Sequence, residues 1–179
     1  MTDKYANFAE LAASEPRAAW AIALVDRPAS DVLVIAPHGG SIEPCTSALA
    51  TAIAGEDYSL YCFEGLKPKD NHELHITSHH FDEPNALTLV AQSSIVLGIH
   101  GCKGSKAIYV GGLDGEFVEL LTAELKSAGL PAESTGHKYL AVEHRNICNR
   151  GRRKRGAQLE ISRDLRDDQH RSHNGKRLS

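Results

Sequence analysis

The sequence predicts an α/β protein built on a mixed, mainly parallel sheet, and three observations carry that reading. Apolar runs of strand length alternate with helix-like segments along the chain. Two of those runs, Val34-Ile35-Ala36 and Val96-Leu97-Gly98-Ile99, read as buried strands, and each leads into a histidine followed by glycine. At 179 residues and 41% hydrophobic content, the chain has the size of one domain and enough apolar side chains for one core.

In order, Tyr5 to Ser14 reads as a short helix and Trp20 to Val25 as a strand. Asp31 to Ala36 is the first core strand. It delivers His38 to the carboxyl edge of the sheet, where Gly39 and Gly40 permit a sharp reversal and Glu43 opens a helix. Pro44 suits the first helical position, where no backbone donor is missed. That helix should run to about Ala54, with Ile42, Leu49 and Ile53 packing inward. Tyr58 to Phe63 is another strand, and Leu74 to Thr77 is a short strand candidate. Ser94 to His100 and Ala107 to Val110 flank a glycine-rich loop. Asp114 to Ala128 is the clearest helix: Asp114 caps it, Phe117, Leu120, Leu121 and Leu125 make its apolar stripe, and Gly129-Leu130-Pro131 ends it. Gln158 to Ile161 reads as a final strand. Residues 1–165 thus form one domain, and 166–179 a polar tail too poor in apolar surface to order itself.

Composition excludes several classes. A net charge of -3 predicts no global attraction to nucleic acid or membranes. Cys45, Cys62, Cys102 and Cys148 contain no CxxC pair, which excludes a zinc ribbon or thioredoxin motif. Cys45 and Cys102 each lie two residues from a candidate ligand and are the thiols to watch. The amino terminus lacks a basic region followed by an apolar stretch, and no run approaches a span of about 20 apolar residues. The expectation is cytoplasmic synthesis with reduced thiols.

The chemistry concentrates at His38, Glu43 and His100. Either histidine alone reads as a core imidazole satisfied by backbone. Together with a carboxylate at strand ends they supply the three N/O donors of a catalytic zinc, with a fourth position left for water. Zinc lowers the pKa of bound water from about 15.7 to about 7. A second carboxylate must then accept the water proton and pass it to the leaving amine, and Glu160, near a strand end, could do so. On its residues alone, Glu160 reads equally well as a surface acid on an edge strand.

Eight motifs in order carry a resemblance: Ala36-Pro37-His38-Gly39-Gly40, Tyr61-Cys62-Phe63-Glu64-Gly65, Leu74-His75-Ile76-Thr77-Ser78, Phe81-Asp82-Glu83-Pro84, Gly98-Ile99-His100-Gly101, Tyr109-Val110-Gly111-Gly112, Asn146-Ile147-Cys148-Asn149-Arg150 and Gln158-Leu159-Glu160-Ile161-Ser162. From about Asp31 to Leu165 the chain resembles the phage and bacterial poly-γ-glutamate hydrolase family. The resemblance implies a three-layer sandwich similar to the zinc carboxypeptidases and a zinc enzyme cutting γ-glutamyl amide bonds of that polymer. It implies His38, Glu43 and His100 as ligands and Glu160 as general base. Ser41 and Cys45 depart from the usual glycine-rich form, and a thiol near the metal could alter its selectivity. A phage-encoded enzyme of this kind would reach the polymer on lysis.

Arg150-Gly151-Arg152-Arg153-Lys154-Arg155-Gly156 reads as a loop with five cations just before the Glu160 strand. It should form a basic lip beside the metal that steers a polyanion inward. Arg150, next to Asn149, is the expected clamp for a substrate carboxylate, since guanidinium binds carboxylate through two parallel hydrogen bonds. His75 is expected to face the pocket as a donor or as a support for the ligands, while His72, His79 and His80 lie on neighbouring loops. Two other readings stand beside this one. One is an amidase acting on cell-wall peptide. The other is a nucleic-acid-binding phage protein using the basic loop, which is less favoured.

Overall fold

The computed structural model describes residues 3–104 and 106–167. Seven strands form one sheet: β1 (Trp20–Val25), β2 (Val32–Gly40), β3 (Ser59–Gly65), β4 (Ile95–Cys102), β5 (Ile108–Gly112), β6 (Ala132–Glu133) and β7 (Ala157–Ser162). Their order is β1-β3-β2-β4-β7-β5-β6. The four central strands β3, β2, β4 and β7 are parallel, whereas β1 runs antiparallel to β3, β5 runs antiparallel to β7, and β6 runs parallel to β5. The predicted mixed, mainly parallel sheet is therefore present.

Both faces of the sheet are covered. Side chains alternate along a strand, so Leu33 and Ile35 enter one apolar cluster while Val34 and Ala36 enter the other. Helices α1 (Phe8–Ser14) and α3 (Pro84–Gln92) close the first cluster through Leu11, Ala86, Leu89 and Val90. Helices α2 (Thr46–Ala54) and α4 (Gly115–Ser127) close the second through Ala50, Ala54, Phe117, Val118 and Leu121. Because α2 links β2 to β3 on one face and α3 carries the chain back across β2 to β4 on the other, the connections diverge between β2 and β4. Such a switch point leaves a crevice at the strands' carboxyl ends. No helix among the described residues is long and apolar enough to cross a membrane.

Several local expectations change. Helix α2 starts at Thr46 rather than Pro44, because two tight turns intervene: Ile42 N–H donates to Gly39 O (3.2 Å) and Glu43 N–H to His38 O (2.9 Å). Glu43 therefore stands in the turn, folded back onto the strand that carries His38. The buried side of α2 is Thr46, Ala50 and Ala54, small residues that let the helix lie close to the sheet, while Ile53 is exposed. Leu120 is likewise exposed on α4, and Val118 packs in the stripe instead. The strand expected at Leu74 to Thr77 is absent. The chain makes a 3-10 turn over Asn71–Leu74, which Asn71 braces by bonding both N–H and C=O of Lys67 (2.9 and 2.6 Å). Helix α3 escaped the reading, although Glu83 caps it and Pro84 occupies its first turn.

The expected boundary after residue 165 falls inside a helical turn over 163–167, and Arg166 is buried. The packed chain thus includes Arg166. The rest of the expected tail, 168–179, lies outside the described residues.

Candidate metal centre

His38 ends the core of β2, where the register with β3 shifts between Ala36 and Gly39 and turns its ring into the crevice. Gly39 is demanded by packing: a Cβ there would meet the Ser47 hydroxyl at 2.1 Å and the Phe63 carbonyl at 2.9 Å. His38 Nε2 lies 2.8 Å from the Ile76 carbonyl, which can only accept, so this nitrogen carries the proton and Nδ1 keeps its lone pair.

Two imidazole nitrogens and a carboxylate converge. His38 Nδ1 lies 3.2 Å from His100 Nδ1 and 3.4 Å from a Glu43 oxygen, and His100 Nδ1 lies 3.9 Å from the other Glu43 oxygen. Nitrogens held at 2.0–2.1 Å around a tetrahedral ion stand about 3.3 Å apart. The spacing and the N2O donor set therefore fit a zinc ion. The Gly101 N–H donates to Glu43 Oε2 (2.7 Å) and aims the carboxylate. Burial opposes ionisation of Glu43, but His38, His100 and this N–H outweigh it and hold its carboxyl at about 2. Burial also works against a proton on His38, yet Glu43 and the Ile76 carbonyl raise its pKa. Burial and then His38 push His100 down to about 3, so its imidazole is neutral, as a ligand must be.

A ring nitrogen of His75 also lies within 4.8 Å of the donor atoms of His38 and Glu43. His100 can supply a third donor in place of His75. The rings of His75 and His38 are nearly stacked, 4.0 Å apart and tilted by 30°, so an ion in the plane of one lies off the plane of the other. His75 instead flanks the cluster, with Nδ1 held by Asp3 Oδ1 at 2.7 Å, while Asp3 Oδ2 accepts from Thr77 N–H at 2.6 Å. No cysteine joins the group.

Glu160 arrives by register. In the parallel pairing of β4 with β7 it stands opposite His100, and Tyr109 on β5 stands opposite it in turn. His100, Glu160 and Tyr109 therefore share one face of the sheet. Burial, followed by repulsion from Glu43, lifts the Glu160 carboxyl to about 8, while Gln158 donates to it at 3.2 Å.

The other expected site residues bond within the chain. Asn149 is saturated within the chain: its oxygen accepts from Leu113 and Gly156 N–H (3.2 and 3.1 Å), and its amide donates to Ala141 and Glu143 carbonyls (2.7 and 3.0 Å). It has no polar valence for substrate. Arg150 directs its guanidinium to the Phe81 carbonyl. The basic run forms no lip beside this cluster. Arg152 bonds Asp31 and Ser94 at the amino edge of β2 and β4, and Arg153 and Arg155 pair with Asp114. Because β7 runs parallel to β4, the loop before it must lie at that amino edge. Six residues of strand at about 3.3 Å each put Ser94 about 20 Å from His100.

Fold and site together define an α/β protein with a group of residues able to hold a metal at the carboxyl edge of its parallel strands. A model of the poly-gamma-glutamate hydrolase family matches residues 5–178. YmaC of Bacillus subtilis is 40% identical over 168 residues, covering 92% of this chain and 71% of YmaC. The SPbeta prophage-derived protein YoqZ of the same organism is 41% identical over 167 residues, covering 92% and 60%. The structure of a bacteriophage poly-gamma-glutamate hydrolase superposes with a TM-score of 0.88 at 36% identity, covering 92% of this chain and 81% of that one. The zinc-free form of YndL superposes equally well, at 0.88 and 38% identity, covering 93% and 83%. The chain belongs to the poly-gamma-glutamate hydrolase family.

Proposed function

We propose that this protein hydrolyses γ-glutamyl amide bonds of poly-γ-glutamate, with zinc held by His38, Glu43 and His100. The observation that carries the reading is the convergence of two imidazole nitrogens, 3.2 Å apart, on the two oxygens of the Glu43 carboxylate, at 3.4 and 3.9 Å, beside a second carboxylate at the adjacent register position. Zinc, when bound, supplies Lewis acidity that polarises a carbonyl and acidifies water. The chain's own residues do the rest. A Glu160 oxygen takes a proton from the attacking water as the water oxygen bonds the amide carbon. The same oxygen then delivers that proton to the amine nitrogen as the carbon–nitrogen bond breaks. A group displaced from the ordinary carboxylate range toward neutrality suits both halves of this cycle. His75, its Nδ1 fixed by Asp3, presents its other nitrogen to the reacting carbonyl. Arg150 steadies the segment carrying Phe81, whose ring lies 6.4 Å from that of His38.

The test is incubation of zinc-loaded protein with poly-γ-glutamate, muropeptides and oligonucleotides, followed by sizing of the products. Shortening of the polymer, abolished by His100→Ala, is the expected result. Cleavage of muropeptides alone would replace the substrate, and salt-dependent oligonucleotide binding without any cleavage would overturn the enzyme reading for this chain.

A further inference from the structure

Arg166 carries a charge where the fold alone would not place one. Its side chain is only 3% exposed, and among the described residues its hydrogen bonds go to backbone carbonyls: Nε to Ile161 (3.0 Å), one terminal nitrogen to Pro44, and the other to Cys102 at 3.5 Å. Burying a guanidinium is costly, and an apolar side chain of similar length would fill the same space more cheaply.

The three carbonyls have one thing in common. Pro44 follows Glu43, Ile161 follows Glu160, and Cys102 stands two residues beyond His100. One planar fork therefore joins the turn after β2, the end of β4 and the end of β7. These three segments carry a carboxylate donor, an imidazole donor and the base, and they come together only in the folded chain. A fork with donors fixed in one plane can hold three acceptors in a set geometry, which a single ammonium nitrogen cannot.

Gly101 shows that the approach is built in. A Cβ on Gly101 would lie 2.5 Å from Arg166 Cζ and 2.7 and 2.9 Å from two of its nitrogens. The glycine after His100 is thus the window through which the guanidinium crosses β4. Its N–H meanwhile aims Glu43 at 2.7 Å.

We propose that Arg166 is a positioning residue for the hydrolytic site: its buried guanidinium clamps the backbones that carry Glu43, His100 and Glu160. The proposal rests on the reading of those three residues as one site.

Three full-length variants test it: Arg166→Lys, Arg166→Met and Gly101→Ala. Zinc affinity is measured by competition with a chelator, and kcat and KM are measured separately on the polymer. Loss of an outer partner of a metal ligand costs roughly 10- to 100-fold in affinity or activity. Arg166→Met should fall in that range for both zinc affinity and kcat, with KM little changed, and Arg166→Lys should recover part of the loss by restoring charge without the fork. Gly101→Ala, which keeps the arginine but displaces it, should resemble Arg166→Met. If Arg166→Met does not fold, Arg166→Lys and Gly101→Ala decide the matter. Folded variants with parental zinc affinity and kcat would overturn the proposal, and full recovery by lysine would overturn the clamp. A parent that binds zinc but leaves the polymer intact would refute the substrate, while zinc affinity would still judge Arg166.

Discussion

Replacing Glu160 by glutamine should slow the enzyme and stabilise it at once. Glutamine keeps the size of the side chain but cannot accept a proton, so turnover should fall by roughly 10² to 10⁴, with KM little changed. The stability arm follows from the carboxyl standing at about 8 in the fold, against an ordinary value of 4.5, chiefly through burial. Below pH 4.5 the carboxyl is protonated whether folded or unfolded, and the fold suffers nothing. Between 4.5 and 8 the unfolded chain ionises while the folded one does not, so this carboxyl lowers stability increasingly as pH rises. At pH 7 the difference spans 2.5 pKa intervals, which sets a ceiling of about 3 kcal/mol. The amide's own burial takes part of that gain. A rise of several degrees in Tm at pH 7, shrinking to nothing near pH 4.5, is the expected signature. Thermal unfolding of parent and Glu160→Gln across this range, with chelator present so that no cation competes, measures it. Equal Tm values at all pH would refute the account of burial, full turnover would move the base elsewhere, and loss of zinc would make Glu160 a ligand.

The purified protein should carry about one zinc, retained by His75→Ala and lost by His38→Ala or His100→Ala. Metal analysis showing the opposite pattern would exchange the roles of His75 and His100. Asp3→Asn should lower kcat while leaving zinc content intact, because it removes the charge that fixes the His75 tautomer but touches none of the three donors; an unchanged kcat would take His75 out of the reaction. Neutralising Arg152, Arg153, Lys154 and Arg155 should leave kcat/KM on the polymer within about twofold at physiological ionic strength, where a separation of about 20 Å exceeds twice the screening length of about 8 Å. The same change should lower Tm, since it removes the ion pairs to Asp31 and Asp114. A large loss of kcat/KM reversed by no change in Tm would return the loop to the site.

What the sequence made legible follows from the range of the interactions involved. His38 and His100 follow apolar runs and each is followed by glycine, and Glu43 comes five residues after the first, so strand and candidate donor announce one another within ten residues. Glu160 was readable as a strand-end acid, and its place opposite His100 needed only the parallel register. For the basic run, nearness to Glu160 along the chain is not nearness in space, because the intervening β7 carries the chain from one sheet edge to the other. Asp3 and Arg166 had no local signature, because their contacts close over 72 and 122 residues. Gly101 marks the limit most clearly. In sequence it reads as the glycine of a turn after a ligand, whereas β4 continues through it to Cys102. Its missing side chain answers to Arg166 on one side and its N–H to Glu43 on the other. The reason for a motif's glycine can therefore lie in a part of the chain that the motif does not mention.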